Sequence, residues 1–197
     1  MPKFGMEPLR RKAMIDATIV EIGAAGTLDI TVSQIARRAG MSSALAHYYF
    51  GSKDQIFLAA MRQILEVFRQ EVKAQVGAAT SPTDRIRAII NASFASDQFK
   101  HEIVAAWLTF YVRALHSDEV KRLLDVYARR LHSNLLFNLR QIFDDVTAEK
   151  VAQGLAAMID GFYIRHALQD FAPARPDVCL LVTDYLDLWL ERKALNG

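Results

Sequence analysis

The sequence contains little cysteine and no long apolar run, and these two absences exclude several classes of protein. Its 197 residues include a single cysteine, Cys179, which excludes a framework of internal disulfides. No apolar run reaches the roughly 18 residues that a membrane-spanning helix needs. Residues 1–12 also lack the apolar segment of a secretory signal peptide. We therefore expect a cytoplasmic protein.

Sequence motifs of catalysis and of metal or phosphate binding are also missing. There is no glycine-rich phosphate loop, no His-Glu-x-x-His segment and no pair of cysteines. His101, His132 and His166 have no partners at the spacing of metal ligands. No serine stands in the setting of a nucleophile elbow. The sequence therefore predicts neither an enzyme nor a protein with a metal or cofactor.

Charge is unevenly distributed along the chain, although the net charge is only +2. Residues 1–62 carry eight lysines and arginines against five acidic residues, whereas residues 63–197 carry sixteen against seventeen. A basic excess at one end favours a module that binds phosphate groups. An excess of this size is equally typical of an ordinary solvated surface. The hydrophobic fraction of 52% predicts a packed globular chain.

Helical periodicity runs through almost the whole chain, and the alternation typical of strands is absent. Thr31 and Gln34 form a capping-box pattern at one helix start. We predict an all-α fold of about nine helices, with an N-terminal domain over residues 1–52 and a second domain over residues 53–197. The predicted helices cover approximately residues 8–26, 32–39, 43–48, 53–76, 82–97, 103–116, 118–143, 147–169 and 177–193.

The second and third helices, separated by Gly40, form the pattern of a helix-turn-helix. Ala36 and Ala39 are small enough to let the two helices cross closely. The outward positions of the third helix are small or polar, so its backbone is able to approach base edges in a major groove. Basic and tyrosine side chains around it suit phosphate contacts. The pattern predicts a DNA-binding module.

Three segments of this module resemble the DNA-binding domain of the TetR family of repressors, over about residues 10–62. They are Gln34-Ile35-Ala36, Ala39-Gly40-Met41-Ser42 and His47-Tyr48-Tyr49-Phe50-Gly51-Ser52-Lys53. The resemblance implies an all-α homodimer that binds double-stranded operator DNA and holds a small-molecule effector in a C-terminal domain. The residues expected at the DNA are Lys3, Arg10, Arg11, Thr31, Ser33, Arg37, Ser42, Ser43, Ala44, His47, Tyr48, Tyr49 and Lys53.

Two positions depart from the family pattern. Position 47 is His where the family usually has Tyr, and position 46 is Ala where a larger apolar residue is common. The His47 imidazole could donate a hydrogen bond to a phosphate or a base, or it could simply face solvent. Both interpretations stay open on the sequence alone.

Further blocks resemble one group within this family, the choline-responsive repressors. They are Met1-Pro2-Lys3 with Gly5-Met6 and Arg10-Arg11, residues 106–111, residues 129–135, and residues 154–161 with Arg165. The resemblance implies repression of the genes for choline uptake and for choline oxidation to the osmoprotectant glycine betaine, with choline relieving repression. We expect the ligand to move the fourth helix and so change the separation of the two recognition helices.

Aromatic faces hold a quaternary ammonium such as choline through cation–π attraction. Trp107, Phe110 and Tyr111 share one helix face at spacings of three and four residues. The alternative is that such aromatics belong to the core. The candidate ligand-binding residues are Phe94, Asp97, Trp107, Phe110, Tyr111, Tyr127, Phe162 and Tyr163.

Asp160 lies inside an apolar run, where a buried carboxylate needs a partner. That partner is either the ligand or an arginine, and the candidate arginines are Arg129, Arg130 and Arg165.

Small residues in the eighth helix and a broad apolar face on the ninth suggest a surface for a second copy of the chain. The resemblance implies that these two helices pair with their copies in a four-helix dimer interface. The residues expected there are Gly154, Ala157, Gly161, Leu181, Tyr185, Leu188 and Trp189.

Two other functions remain as alternatives. A TetR-type repressor that responds to another cationic or lipophilic compound keeps the DNA-binding class. A helical small-molecule carrier or enzyme with a vestigial DNA module belongs to a different class. Loss of specific operator binding in an Arg37 or Lys53 variant would exclude this second alternative, whereas ligand binding without DNA binding would favour it.

Overall fold

The computed structural model describes residues 6–196, and in that range it contains nine α-helices and no strand. The predicted all-α fold is confirmed. Lys3, which the sequence predicts at the DNA, lies outside the described residues. The helices are α1 (Met6–Ala25), α2 (Val32–Arg38), α3 (Ser43–Phe50), α4 (Lys53–Ala78), α5 (Pro82–Ser93), α6 (His101–Ala114), α7 (Asp118–Leu139), α8 (Asp145–Leu168) and α9 (Arg175–Asn196).

Local sequence signals fix several helix starts. The Thr31 hydroxyl accepts a hydrogen bond from the Gln34 N–H at 3.1 Å, and the Gln34 side chain accepts one from the Thr31 N–H at 2.6 Å. The predicted capping box at α2 is therefore confirmed. Ser42 caps α3 by accepting from the Leu45 N–H at 3.2 Å. Pro82 occupies the first turn of α5, where a missing N–H costs nothing.

Two predicted helix ends are wrong by four residues. α5 ends at Ser93 instead of residue 97. The chain turns there because the Phe94 carbonyl accepts a hydrogen bond from Arg175 Nη1 at 3.1 Å rather than continuing the helix. α7 ends at Leu139 instead of residue 143. A contact between residues far apart in sequence, such as that of Phe94 with Arg175, gives no local signal.

The start of α8 also differs from the prediction. The helix begins at Asp145 and not at Thr147. The Asp144 carboxylate caps it by accepting from the N–H groups of Val146 and Thr147, both at 3.0 Å. These hydrogen bonds lower the pKa of the Asp144 carboxyl, with the Thr147 hydroxyl making the largest contribution.

The chain folds as two compact units. Unit 1 contains the described residues up to Glu66 together with His101–Lys121, and unit 2 contains Val67–Lys100 together with the chain from Arg122 onward. α6 belongs to unit 1 because it packs along α1. The predicted domain boundary after residue 52 divides the chain at one position, whereas each compact unit combines two separate stretches of the chain. The boundary stays a prediction.

Unit 1 has a core of aliphatic and aromatic side chains from α1, α2, α4 and α6. Glycine at position 23 sets the separation of α1 and α6, because a Cβ atom there would lie only 2.4 Å from the Glu102 Cα atom. This core therefore brings α6 against a helix of the DNA-binding module. The buried members include Met14, Ile22, Ile35, Ile56 and Phe110.

Unit 2 is built from α5, α7, α8, α9 and the part of α4 that follows Glu66. On α4, Phe68 and Val72 are buried as the apolar periodicity predicts. Arg87 of α5 and Asp187 of α9 form an ion pair at 2.7 Å, which contributes little because both side chains are partly exposed. The main core residues are Ile86, Ile89, Phe94, Leu135, Leu139, Leu155 and Val182.

Candidate nucleic-acid interface and effector residues

A tight turn joins α2 to α3. The Gly40 N–H donates to the Arg37 carbonyl at 3.1 Å, and the Met41 N–H donates to the Ala36 carbonyl at 2.8 Å. Gly40 has a φ of +66°, which favours glycine at this position. Ser33 and Ser43 also join the two helices, with their hydroxyl oxygens 3.0 Å apart. This turn holds the two helices in a fixed crossing.

One face of α3 is exposed and is referred to below as the outer face. It consists of Ala44, His47 and Tyr48, at spacings of three and four residues. The Tyr48 side chain is 79% exposed. No acidic residue occurs between Ile30 and Lys53. This local absence favours anion binding, and the charge count over residues 1–62 did not reveal it because that count includes the acidic residues on either side. The outer face is therefore able to approach a polyanion without carboxylate repulsion.

The opposite side of α3 is packed against α1. Tyr49 is only 8% exposed, and its hydroxyl accepts a hydrogen bond from Arg10 Nη1 at 3.5 Å. The Arg11 guanidinium lies 5.4 Å from the Tyr49 ring centre and 5.3 Å from that of Phe50, and it also pairs with Glu7 at 2.8 Å. Three predicted DNA-binding residues thus contact one another inside unit 1, and their contact with DNA stays a prediction.

The flanks of the helix-turn-helix carry the other predicted phosphate contacts. Thr31 and Ser33 are exposed at the start of α2, and Arg37 is exposed in its last turn. Lys53 is the first residue of α4, and its ammonium lies 5.4 Å from the Phe57 ring centre. Arg38 differs from these residues, because it pairs with Glu21 of α1. Arg37 and Lys53 thus stand in the elements that precede and follow α3 in the chain.

The aromatic residues of α6 belong to unit 1. Trp107 and Phe110 are buried there, whereas Tyr111 is partly exposed. The Trp107 and Tyr111 ring centres are 5.9 Å apart with planes inclined by 31°. The two rings are neighbours on one face of α6, as their spacing in the sequence predicts.

Five other aromatic rings form a cluster in unit 2. Phe94 is fully buried, with its ring centre 5.6 Å from Phe99, 6.3 Å from Phe162 and 6.0 Å from Tyr163. The Phe99 ring also stacks on His166 at 4.2 Å. Phe99 and His166 were not among the predicted residues. Phe99 lies between α5 and α6, outside any helical pattern. His166 follows Phe162 and Tyr163 at spacings of four and three residues, and this spacing was the signal that could have identified it. Rings this close have the geometry of a packed aromatic core.

The other predicted ligand residues of unit 2 lie apart from this cluster. The Tyr127 ring contacts Phe68 at 5.5 Å between ring centres. Asp97 is exposed and pairs with Lys100 at 2.6 Å. Asp97 therefore already has a cationic partner.

Asp160 is partly buried, and its charge raises the pKa of the nearby Tyr163 hydroxyl, although burial of that hydroxyl is the larger cause. The three arginines proposed as its partners, Arg129, Arg130 and Arg165, are all exposed. Arg129 donates to the Asp125 carbonyl at 3.1 Å within its own helix. Both alternatives for Asp160 stay open.

α8 and α9 carry large exposed apolar side chains, including Leu168, Leu181 and Leu188. Gly161 of α8 has open space before it, since a Cβ atom there would meet nothing within 4 Å. Gly154 is different, because a Cβ atom there would lie 2.1 Å from the hydroxyl oxygen of Tyr185 in the same chain. Packing of α8 on α9 thus accounts for Gly154, whereas the other small and apolar residues form an uncovered face.

Two structural features are lacking over residues 6–196. In that range no helix is long and apolar enough to cross a membrane. No group of three or more His, Cys, Asp or Glu side chains in the same range is arranged to hold a metal ion.

A capped helix with an exposed acid-free face, joined by a tight turn to a second short helix, defines the class of helix-turn-helix DNA-binding proteins. Residues 14–60 match the family described as bacterial regulatory proteins, tetR family. Residues 82–191 match the family described as BetI-type transcriptional repressor, C-terminal. The chain therefore belongs to the TetR family and has a BetI-type C-terminal domain. It is a transcriptional regulator and not an enzyme.

Individual relatives agree with this assignment. An HTH-type transcriptional regulator BetI from Brucella melitensis is 53% identical over 190 residues, which is 96% of this chain and 96% of that protein. One from Agrobacterium fabrum is 49% identical over 191 residues, or 97% of this chain and 93% of that protein. A transcriptional regulator from Saccharomonospora viridis, solved in complex with choline, has a TM-score of 0.81 and 19% identity, covering 90% of this chain and 95% of that one. This last likeness concerns the fold.

Proposed function

We propose that this protein is a homodimeric, cytoplasmic repressor of the genes for choline uptake and for conversion of choline to glycine betaine, and that choline releases it from operator DNA. The observation that carries the proposal is 53% identity, over 96% of the chain, to a regulator named BetI. The complex of a protein of the same fold with choline supports the choice of this effector among organic cations.

On the DNA side, we assign base contacts to the outer face of α3 and to its cap region. Ala44 lets the helix backbone approach the floor of the groove, because its side chain is a single methyl group. Phosphate contacts are assigned to Thr31, Ser33, Arg37 and Lys53, which flank the helix pair. Backbone N–H groups at the start of α4 would add to the attraction near Lys53.

For the effector, we assign the quaternary ammonium of choline to the faces of Trp107 and Tyr111. The two rings lie 5.9 Å apart and Tyr111 is partly exposed, so this pair is open on one side. Contact with such a ring contributes about 2 kcal/mol when the cation is desolvated. The aromatic residues of unit 2 are the second choice, because Phe94 at the centre of that cluster already contacts three further rings.

Release from DNA is proposed to be a population shift. α4 has residues in both compact units, so a displacement of this helix would change the separation of the recognition helices in the dimer. Half-sites one helical turn apart, about 34–36 Å, tolerate little error in that separation. An equal separation in structures with and without choline would contradict this mechanism.

The first experiment combines operator binding with choline release. Fluorescence anisotropy would be measured with labelled DNA from upstream of choline-uptake and choline-oxidation genes. We expect tight, sequence-specific binding that choline weakens, whereas glycine betaine and the neutral isostere 3,3-dimethylbutan-1-ol do not. Specific binding that no choline concentration alters would leave a TetR-family repressor with a different effector.

Choline binding itself should depend on Trp107. We expect Trp107→Phe to weaken choline binding in a calorimetric titration, because tryptophan has the strongest cation–π attraction of the aromatic side chains. Phe137→Leu is a suitable control, since Phe137 is an exposed residue of α7. Unchanged choline affinity in Trp107→Phe would move the effector site away from α6.

The phosphate assignment of Lys53 makes a separate prediction. Lys53→Ala should weaken binding to all DNA sequences by a similar factor and reduce the slope of log affinity against log salt by about one unit. Lys73→Ala provides the matched control, since Lys73 is an exposed lysine of the same helix outside the helix-turn-helix. A salt slope that equals that of the wild type in Lys53→Ala would remove Lys53 from the interface.

A further inference from the structure

The imidazole of His47 is held by the turn that ends α3. Its Nδ1 atom lies 3.2 Å from the Gly51 carbonyl oxygen. The Gly51 N–H in turn donates to the His47 carbonyl at 2.8 Å. Gly51 has a φ of +75°, a conformation that favours glycine. Both the side chain and the main chain of residue 47 are therefore tied to the same turn.

This contact decides which nitrogen carries the proton. A carbonyl oxygen only accepts hydrogen bonds, so Nδ1 must be the donor. In a neutral imidazole with the proton on Nδ1, Nε2 has a lone pair and no hydrogen. His47 lies on the exposed outer face of α3. In the neutral ring, the group that it offers to a ligand there is a hydrogen-bond acceptor.

A side chain that only accepts hydrogen bonds is able to bind some DNA bases but not a phosphate group. Phosphate oxygens only accept, so a neutral Nε2 has no attraction for them, and the same holds for the N7 and O6 atoms of guanine and the O4 atom of thymine. The exocyclic amino groups of adenine and cytosine are the donors that a major groove presents. Ala44, one turn before His47 on the same face, leaves room for the close approach that such a contact needs.

We propose that His47 is a specificity-determining residue, whose Nε2 atom accepts a hydrogen bond from the amino group of one adenine or cytosine in each operator half-site. This inference rests on the proposed DNA-binding function. It differs from both sequence-based interpretations of His47, in which the imidazole either donates to a phosphate or a base or simply faces solvent. Fixing of the ring by Gly51 reduces the entropy lost when the contact forms.

The test is a selection of bound sequences from a randomised duplex pool with full-length wild type, His47→Phe and His47→Gln. We expect His47→Phe to lose a preference of about tenfold at one symmetric pair of positions, while other positions and the salt slope stay the same. His47→Gln keeps an acceptor at similar reach and adds a donor, so it should favour adenine at that position. His116→Phe, a change of an exposed histidine outside the helix-turn-helix, should select the wild-type sequence.

Three outcomes would overturn the inference. An unchanged base preference in His47→Phe would remove the base contact. Uniform weakening with a smaller salt slope would make His47 a phosphate contact. Failure of the wild type to enrich any sequence would instead overturn the proposed DNA-binding function, and the inference with it.

A second measurement does not depend on DNA. Nitrogen-15 NMR of the free protein, at a pH where the His47 ring is neutral, reports which ring nitrogen is protonated. We expect the proton on Nδ1, and a proton on Nε2 would overturn the inference.

Discussion

At the scale of single residues, Tyr163 illustrates how packing changes the chemistry of one group. Its ring lies beside Phe94 and Phe99, and its hydroxyl donates a hydrogen bond to the Ser93 carbonyl. Burial raises the pKa of this hydroxyl above its ordinary value of 10.0, and the charge of Asp160 adds to the effect. The folded protein therefore retains a proton that the unfolded chain releases in alkaline solution.

This proton predicts a pH dependence of stability. As the pH rises above 10.0, the unfolded chain binds fewer protons than the folded one, so the free energy of unfolding should fall. Tyr163→Phe has no group to ionise and should lose less stability over that range. At neutral pH it should be less stable by about 1 kcal/mol, because one hydrogen bond is missing. Urea unfolding from neutral to alkaline pH checks both points, and parallel profiles for the two proteins would contradict the first.

The capping residues were predictable because their partners are three residues away. Thr31 was identified from the sequence as a cap, and it caps α2 in the structure. The packing of Arg10 on Tyr49 was not predictable, since 39 positions separate these residues. Several side chains look equally suited to phosphate contacts in the sequence. In the structure they differ in the exposed fraction of each side chain.

At the scale of helices, the pair of α1 and α6 depends on a close approach at one glycine. A Cβ atom on Gly23 would lie 2.4 Å from the Cα atom and 2.9 Å from the carbonyl oxygen of Glu102. These are main-chain atoms, which cannot move aside without moving α6. The separation of the two helices is thus set by the absence of a side chain.

Gly23→Ala should therefore destabilise unit 1. We expect a loss of about 1–3 kcal/mol in the free energy of unfolding from the forced separation of α1 and α6. Gly77→Ala is the matched control, because Gly77 is also helical and a Cβ atom there meets nothing within 4 Å. The control should be neutral or gain up to about 1 kcal/mol from helix propensity. Equal thermal unfolding of the two variants would contradict the close approach.

The helices themselves were predictable because each has its own apolar periodicity and a local start signal. Their ends were less predictable, as α5 shows, since a distant Arg175 binds the Phe94 carbonyl and the helix stops there. The association of α6 with α1 was not predicted at all. Periodicity identifies the buried face of a helix but not the helix that covers it.

At the scale of the whole molecule, α8 and α9 present an apolar face that residues 6–196 of this chain do not cover. Leu181 and Leu188 are exposed on α9, and Gly161 of α8 faces open space. Large exposed apolar surfaces of this kind are typical of sites of protein association. The proposed homodimer would bury them, and a small residue at position 161 would allow close helix approach.

Gly161→Leu tests this proposal. Its side chain should be tolerated within one chain, since nothing lies within 4 Å of a Cβ atom at this position. It should nevertheless weaken dimerisation at least about tenfold by overpacking the interface, a cost of about 1–3 kcal/mol. Sedimentation equilibrium of Gly161→Leu and of Gly77→Leu as control measures the effect. A dimer of unchanged affinity would place the interface elsewhere.

Fold class and family followed from the sequence because both depend on patterns within short segments. The location of the effector site did not. In the sequence, Trp107 and Phe94 look alike as aromatic residues of apolar segments, and only the structure shows that Phe94 is packed among three further rings. Packing between helices decides whether an aromatic ring contacts a ligand or another ring. Spacing along a single helix does not contain this information.

The anchor of His47 has a consequence for how such repressors diverge. The anchor is a main-chain carbonyl, so it survives any exchange of the neighbouring side chains, and the residue itself contributes nothing to the core. A histidine codon becomes a glutamine or tyrosine codon by one nucleotide change. Such a mutation would alter the set of promoters that the protein occupies at the cost of one exposed hydrogen bond, so new regulatory connections would arise in single mutational steps.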